Sequence, residues 1–256
     1  MRLLSEYVEG FLADGDSDQQ KLGRTLRTSQ RKWDAIRGKD PLTAFSEVVT
    51  RYNWLGQPKT KLKYKVSQNL ARNLPGALLQ DYLIHVCISR LEAYPELEVF
   101  TEVRVPFGAY PVWEAGEVLR KSPSQVVDVV VGYRFVDGHR VAPVGPWPRP
   151  AISKLEKGEV VCPLIAINSK IRVSQSEFFD WVGREELLTK GNPSCLSLQV
   201  ALRSEMDLSI PELAQLSEQF ILLGKGGERA VVGDEHEVVE LIEVIDRHLE
   251  ERMVAP

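Results

Sequence analysis

The stretch from residue 126 to residue 202 constrains the fold most, because it contains three apolar runs of strand length that carry isolated polar groups. These runs are Val126–Val131, Pro163–Lys170 and Leu196–Leu202. Asp128 interrupts the first run and Lys170 ends the second. Burying a carboxylate or an ammonium without compensation is costly. We therefore expect Asp128 and Lys170 at strand ends, where they can form a site.

The rest of the pattern predicts an α/β fold with a central mixed sheet, flanked by helices and preceded by an N-terminal helical lobe. Residues 1–75 read as helices, and a new helix is expected after Pro75-Gly76. Ser174 and Glu177 have capping-box spacing, so a helix should follow the second run. Asp137-Gly138 predicts a hairpin. A proline-rich loop is expected over residues 143–150, a short helix over 210–216, and a closing acidic helix over 235–252. The predicted domains are 1–75 and 76–256.

The net charge of −4 hides a strong asymmetry along the chain. Residues 21–72 contain thirteen Lys and Arg against three acids, whereas residues 205–256 contain four against thirteen. Four lysines alternate within the basic part: Lys59, Lys61, Lys63 and Lys65. In an extended chain this alternation places them on one side, where they could follow the phosphates of a nucleic acid. The alternative is an ordinary solvated face.

Composition excludes several other classes of protein. The three cysteines, Cys87, Cys162 and Cys195, are too few and too far apart for a disulfide framework or a zinc knuckle. The longest uncharged apolar runs are too short to span a membrane. The first residues are too charged for a signal peptide, so we expect a cytoplasmic protein.

The order of motifs in this chain resembles the pattern of the PD-(D/E)xK nuclease superfamily. In that pattern an acid lies on one strand, a second strand ends in acid-x-Lys, and a helix and a third strand follow. Asp128 matches the first acid, and Asn168-Ser169-Lys170 matches the second half, over roughly residues 76–223. Within the superfamily the order of elements resembles type II restriction endonucleases of the BbvCI-like group. The resemblance implies site-specific hydrolysis of double-stranded DNA with Mg²⁺ by a homodimer, or by a heterodimer with a second nuclease subunit. Residues 1–75 would then contact the DNA.

The resemblance also implies roles for individual residues. Asp128 would bind the metal together with the residue-168 side chain and the backbone carbonyl of Ser169. Lys170 would orient or deprotonate the attacking water and stabilise the phosphate. Arg172 would contact a phosphate.

A third acidic ligand often comes from the preceding helix in this family. Asp81 is the preferred candidate and Glu92 the second, although Gln80 could be the matching position instead.

The chain departs from the family pattern at Asn168, where the family has Asp or Glu. Asparagine keeps the shape of the side chain but removes one negative charge, so affinity for Mg²⁺ should fall. Either this is a natural substitution in a weak or inactive subunit, or it is an engineered change that traps substrate. The isosteric character of the change favours the second account.

Simpler interpretations stay open for the same residues. Asp128 and Lys170 could form a plain ion pair, Lys170 could extend from a strand terminus into solvent, and Arg172 could be a surface charge. For the chain as a whole, the alternative function is a DNA-binding or assembly subunit on a nuclease fold without catalytic activity.

Overall fold

The computed structural model describes residues 3–36, 40–106, 110–114, 117–121, 124–143, 152–206, 219–226 and 230–253. Its helices α1 to α7 are Leu4–Ala13, Ser17–Ile36, Pro41–Gly56, Pro58–Lys63, Gln68–Arg90, Gln175–Gly191 and Glu235–Met253. Its strands β1 to β10 are Glu98–Pro106, Tyr110–Glu114, Glu117–Lys121, Ser124–Val136, His139–Val141, Glu159–Val173, Leu196–Ser204, Phe220–Leu222, Gly224–Gly226 and Val231–Gly233. None of the helices described here is long and apolar enough to cross a membrane.

The centre of the fold is a six-stranded mixed sheet in the order β1-β4-β6-β7-β8, with β5 also paired to β4. Strand β4 runs antiparallel to both β1 and β6, whereas β6, β7 and β8 run parallel to one another. A parallel pair needs a crossover, and α6 provides it between β6 and β7. The predicted α/β class with a mixed sheet, flanking helices and N-terminal helices is confirmed.

Local signals explain why the segments around the sheet end where they do. The Ser174 hydroxyl accepts a hydrogen bond from the Glu177 N–H, and the Glu177 carboxylate accepts one from the Ser174 N–H, so the predicted capping box starts α6. Asp137 and Gly138 have φ of 48° and 79°, which is the backbone of a tight two-residue hairpin between β4 and β5. Both predictions from the sequence are confirmed.

One buried cluster joins the N-terminal helices to the sheet. It contains Leu4 of α1 and Phe45 of α3 together with Leu83 of α5, Leu198 of β7 and Leu241 of α7. Burial of such side chains is the main favourable contribution to folding. The N-terminal residues therefore share their core with the strands that carry the candidate site.

Two structural expectations for the N-terminal half are wrong. The lysine-rich segment is not extended, because Lys59, Lys61 and Lys63 lie on helix α4. Helix α5 begins at Gln68, with the Ser67 hydroxyl as its N-cap, and continues through Pro75 instead of starting after Gly76. Proline is unfavourable inside a helix, since it lacks the N–H that the preceding turn would bind.

The predicted division between residues 75 and 76 therefore falls inside α5, and separate domains remain a prediction. Most of the predicted proline-rich loop, residues 144–150, and the predicted helix over 210–216 lie outside the described residues.

Candidate active site

Strands β4 and β6 separate at the centre of the sheet. Their last pair on this side is Val129↔Ile167. Before Val129, strand β4 continues to pair with β1, and after Ile167, strand β6 continues to pair with β7. The two strands therefore diverge and open a cleft between them. Asp128 and Asn168 are the first residues beyond the last pair, so the predicted site residues lie where the cleft begins.

Asp128 is held by contacts from two other elements. Its carboxylate Oδ2 accepts hydrogen bonds from the Ser169 backbone N–H at 2.7 Å and from the Ser169 hydroxyl at 3.0 Å. Its backbone carbonyl accepts a hydrogen bond from the Gln80 side-chain amide at 3.0 Å. The first contact ties β4 to β6 and the second ties β4 to α5. The position of this carboxylate is thus set by the fold.

The surroundings of Asp128 shift the pKa of its carboxyl in opposite directions. Burial raises its pKa above the ordinary value, the Ser169 hydrogen bonds and the positive charge of Lys170 lower it, and the negative charge of Glu102 raises it further. The net direction is upward, because burial has the largest effect. A cation in the cleft would offset both causes that raise the pKa of this carboxyl.

The cleft has a volume of about 770 Å³ and lies between the sheet and the N-terminal helices. Its charged lining residues are four basic and three acidic: Arg72, Lys170, Arg172, Arg203, Glu102, Asp128 and Glu177. Tyr52 of α3 and Ala71, Pro75 and Gly76 of α5 complete the helical wall. A cleft that contains carboxylates beside several cations suits a metal ion and a phosphate group together.

The residues predicted for catalysis, metal binding and phosphate contact differ in their position relative to the cleft. Asp128, Ser169, Lys170 and Arg172 all line the cleft, and Lys170 is exposed. Asn168 is half-buried beside Gln199 in the β6–β7 ladder and is not among the residues that line the cleft. The acid and the lysine predicted from the sequence, Asp128 and Lys170, therefore lie in one cleft. Asn168 lies beside the residues that line it.

The structure does not bring Asp81 to the cleft. It lies on α5, where its carboxylate is 3.5 Å from the His85 imidazole. Neighbouring helix residues point about 100° apart, and at this turn of α5 Gln80 takes the direction that reaches Asp128. The role of Asp81 as a third metal ligand stays a prediction, and Gln80 contacts the site through the backbone of Asp128.

The predicted lysine surface has a different geometry from the expected one. Residues two apart on a helix point about 200° apart, so Lys61 faces away from Lys59 and Lys63, which are four residues apart and share one side. Lys65 lies after the helix with a φ of 49°, and its ammonium pairs with Asp16 at 3.3 Å and Asp18 at 3.7 Å. None of these lysines is among the residues that line the cleft.

Glu102 is a cleft residue that the sequence analysis missed. In the β1–β4 ladder it lies opposite Asp128, between the pairs Thr101↔Val129 and Val103↔Val127. Its φ of 55° is in the left-handed region, which is uncommon for a residue other than glycine and clusters at functional sites. In the sequence it is one more polar residue of an alternating strand, so no local signal separates it from a solvent-facing acid.

Arg203 is the second missed residue. It lies near the end of β7 with its side chain 9% exposed, although arginine is rarely buried without a partner. The sequence gives one signal, an arginine that closes an otherwise apolar run, but such a residue also fits a strand that simply ends at the surface.

The fold is similar to that of a chain in the native BbvCI A2B2 tetramer determined at low resolution. The TM-score is 0.50 at 11% sequence identity, over 99% of this chain and 98% of that chain. No family model matches the sequence, and no curated protein matches it. At this identity the likeness concerns the fold alone, and it extends over nearly the whole chain, N-terminal helices included.

Proposed function

We propose that this chain is a subunit of a site-specific type II restriction endonuclease of the PD-(D/E)xK superfamily. It would hydrolyse DNA phosphodiester bonds with Mg²⁺, in a form impaired by Asn168. One observation carries the proposal: Asp128, Ser169 and Lys170 line a single cleft at the point where β4 and β6 separate. The likeness to a BbvCI chain, a restriction-endonuclease subunit, supports it at the level of the fold.

The residues at the cleft fit a divalent cation with a preference for oxygen ligands. Asp128 offers the carboxylate oxygen that Ser169 does not occupy, and Glu102 lies opposite it in the ladder. The raised pKa of Asp128 describes a carboxyl whose charge is poorly compensated by the protein alone. The Asn168 amide oxygen and the Ser169 carbonyl would add neutral ligands. A bound Mg²⁺ would lower the pKa of its water and neutralise charge on the phosphate.

The protein side chains would supply orientation and charge. Ser169 fixes the Asp128 carboxylate through two hydrogen bonds, so that little reorganisation is needed when substrate binds. The exposed Lys170 ammonium would orient or deprotonate the attacking water and stabilise the negative charge on the phosphate. Cutting both strands of a duplex requires two such sites, which a homodimer or a heterodimer with a second nuclease subunit would provide.

The proposal is tested by restoring the family carboxylate with Asn168→Asp. Purified variant and parent are incubated with supercoiled plasmid and Mg²⁺, and the nicked and linear products are separated on a gel. We expect the variant to cut orders of magnitude faster, because a second carboxylate would strengthen binding of the metal that activates the water. Each 1.36 kcal/mol removed from the activation barrier raises the rate about tenfold.

The alternative function is a DNA-binding or assembly subunit without catalytic activity. The position of Asn168 outside the cleft lining favours this alternative, since a carboxylate there would have to reach the metal from the edge of the site. An Asn168→Asp protein that binds DNA but stays inert with Mg²⁺ and Mn²⁺, alone and with a partner subunit, would establish it.

A further inference from the structure

Arg172 and Arg203 form a pair of guanidinium groups beside the candidate active site. They are directly paired in the parallel β6–β7 ladder, so their side chains leave neighbouring strands on the same face. Both donate to the same oxygen, Oε1 of Glu205, at 3.2 Å from Arg172 and 3.1 Å from Arg203. Both also line the cleft that contains Asp128 and Lys170.

The two guanidinium groups outnumber the carboxylates that they contact. Two guanidinium groups share one carboxylate, and Lys170 and Arg72 add positive charge to the same cleft. Glu177 also lines the cleft, but its carboxylate accepts hydrogen bonds from the Ser174 N–H and hydroxyl and so caps α6. Over the whole cleft the four cations are matched by Glu102, Asp128, Glu177 and Glu205, but at the pair itself two guanidinium groups contact one carboxylate. This local arrangement favours an anion between the two guanidinium groups.

Arg203 itself lacks a hydrogen-bond partner at one of its donors. Its side chain is 9% exposed, and its Nε makes no hydrogen bond within the part of the chain that the structure describes. A buried donor left unsatisfied is unfavourable, and more so when the group is charged. Arg203 therefore has a donor left to give to an acceptor that binds at the wall of the cleft.

We propose that Arg172 and Arg203 form a phosphate clamp that binds a phosphate of the DNA backbone next to the one that is cut. Guanidinium groups bind phosphate oxygens through parallel hydrogen bonds, which a lysine cannot match. Arg172 lies two residues beyond Lys170, roughly 6.6 Å along the strand at about 3.3 Å per residue. Glu205 holds both side chains in place in the absence of DNA. The clamp rests on the proposed function, because it places the reacting phosphate at Lys170.

The clamp is tested by binding in the absence of hydrolysis. Fluorescence anisotropy of a labelled DNA duplex is measured in EDTA over a range of KCl concentrations, with the chain as it is. Arg172→Ala should weaken binding about tenfold and reduce the slope of log K against log salt by about 0.9, the value for one phosphate contact. Arg184→Ala is the matched control, since Arg184 is an exposed arginine paired with Asp180 on α6. The clamp is excluded if the two variants bind alike.

Glu205→Gln provides a test in the opposite direction. Removing the shared carboxylate frees both guanidinium groups, so binding should tighten and the salt slope should steepen. Glu186→Gln removes the same charge from an exposed pair with Lys190 on α6 and should change neither quantity. A Glu205 variant that matches the Glu186 variant, or that binds more weakly, would contradict the clamp.

Arg203→Lys keeps the positive charge but removes the two parallel hydrogen bonds that a guanidinium group can donate, so it tests these two contributions separately. It should retain the salt slope and lose affinity, provided that its thermal unfolding matches that of the parent protein. Inorganic phosphate, added at constant ionic strength, should displace DNA less effectively from Arg172→Ala than from the parent, which distinguishes a phosphate site from general electrostatics. These binding measurements contain no metal, so they are independent of cleavage. If the clamp is wrong, Asn168→Asp can still cut plasmid. If the nuclease proposal is wrong, the arginine variants can still lose DNA affinity.

Discussion

At the scale of single residues, the cleft contains one carboxyl group, that of Asp128, whose charged form is disfavoured by the surrounding protein. Asp128 is half-buried, and its pKa is raised mainly by burial, with a further contribution from Glu102. Ser169 and Lys170 compensate only in part. Residues held in this way are typical of functional sites, where stability is lowered in exchange for reactivity or binding.

This arrangement predicts that Asp128→Asn stabilises the protein at neutral pH in EDTA. Because the folded-state pKa is raised, the folded protein binds more protons than the unfolded chain between the two pKa values, so stability falls as pH rises through that window. The asparagine oxygen can still accept from Ser169 but does not titrate. Urea unfolding from pH 4 to pH 8 should show the advantage of the variant growing with pH. A variant that is less stable at every pH would contradict the raised pKa.

Asp128 and Lys170 could be predicted from the sequence because each is a local exception, a charge in or after an apolar strand. Glu102 could not, since its position opposite Asp128 depends on the register between β1 and β4 and on a left-handed backbone. Arg203 depends in the same way on the register between β6 and β7. Register joins residues far apart in sequence, and no single-sequence pattern specifies it here.

At the scale of elements, the part of the fold predicted best is the succession β4, β6, α6 and β7. Its apolar runs and its capping box are local signals that the tertiary structure does not override. The prediction that α5 starts after Gly76 is wrong, because a proline favours a helix boundary but does not force one here. The helix continues through Pro75, and Ala71, Pro75 and Gly76 form part of the cleft wall.

A buried ion-pair network holds together the three antiparallel strands that support Asp128. Arg134 of β4 binds Glu98 of β1 through Nε and Nη2 at 3.1 and 2.9 Å, and Glu159 of β6 through Nη1 at 2.6 Å. The Glu98 and Arg134 side chains are 3% and 8% exposed. The Ser153 hydroxyl also donates to Glu98 at 2.6 Å.

Glu98→Ala should lower the free energy of unfolding by about 3–5 kcal/mol, since it leaves a buried guanidinium with one carboxylate in place of two. Glu186→Ala, at an exposed pair, should change it by less than about 1 kcal/mol. Urea unfolding curves of both variants measure the difference. Equal stability of the two would mean that the network contributes no more than a surface pair.

At the scale of the whole molecule, the N-terminal helices belong to the same core as the sheet. Leu4 and Phe45 lie in one buried cluster with Leu198 of β7, and Tyr52 and Arg72 line the cleft. The basic residues of the first third of the chain and the acidic residues of the last fifth give the molecule opposite charges along its sequence. From the basic part of the chain, Arg72 lines the cleft, whereas Lys59, Lys61, Lys63 and Lys65 do not.

A fragment of residues 76–256 should therefore not fold as an independent domain. It would begin inside α5 and would expose the side of that helix, including Leu83, that packs in the shared cluster. Circular dichroism during thermal unfolding is the measurement. We expect no cooperative transition, whereas a sharp transition near that of the full chain would support the predicted division at residues 75 and 76.

The most direct test of the central claim is the rate of plasmid cleavage in the Asn168→Asp background with and without Asp128→Asn. If the cleft between β4 and β6 is a nuclease centre, Asn168→Asp alone cuts DNA with Mg²⁺, and the added Asp128→Asn lowers the single-turnover rate by orders of magnitude while DNA binding in EDTA persists. Cleavage that survives Asp128→Asn undiminished would place the chemistry elsewhere and contradict the account.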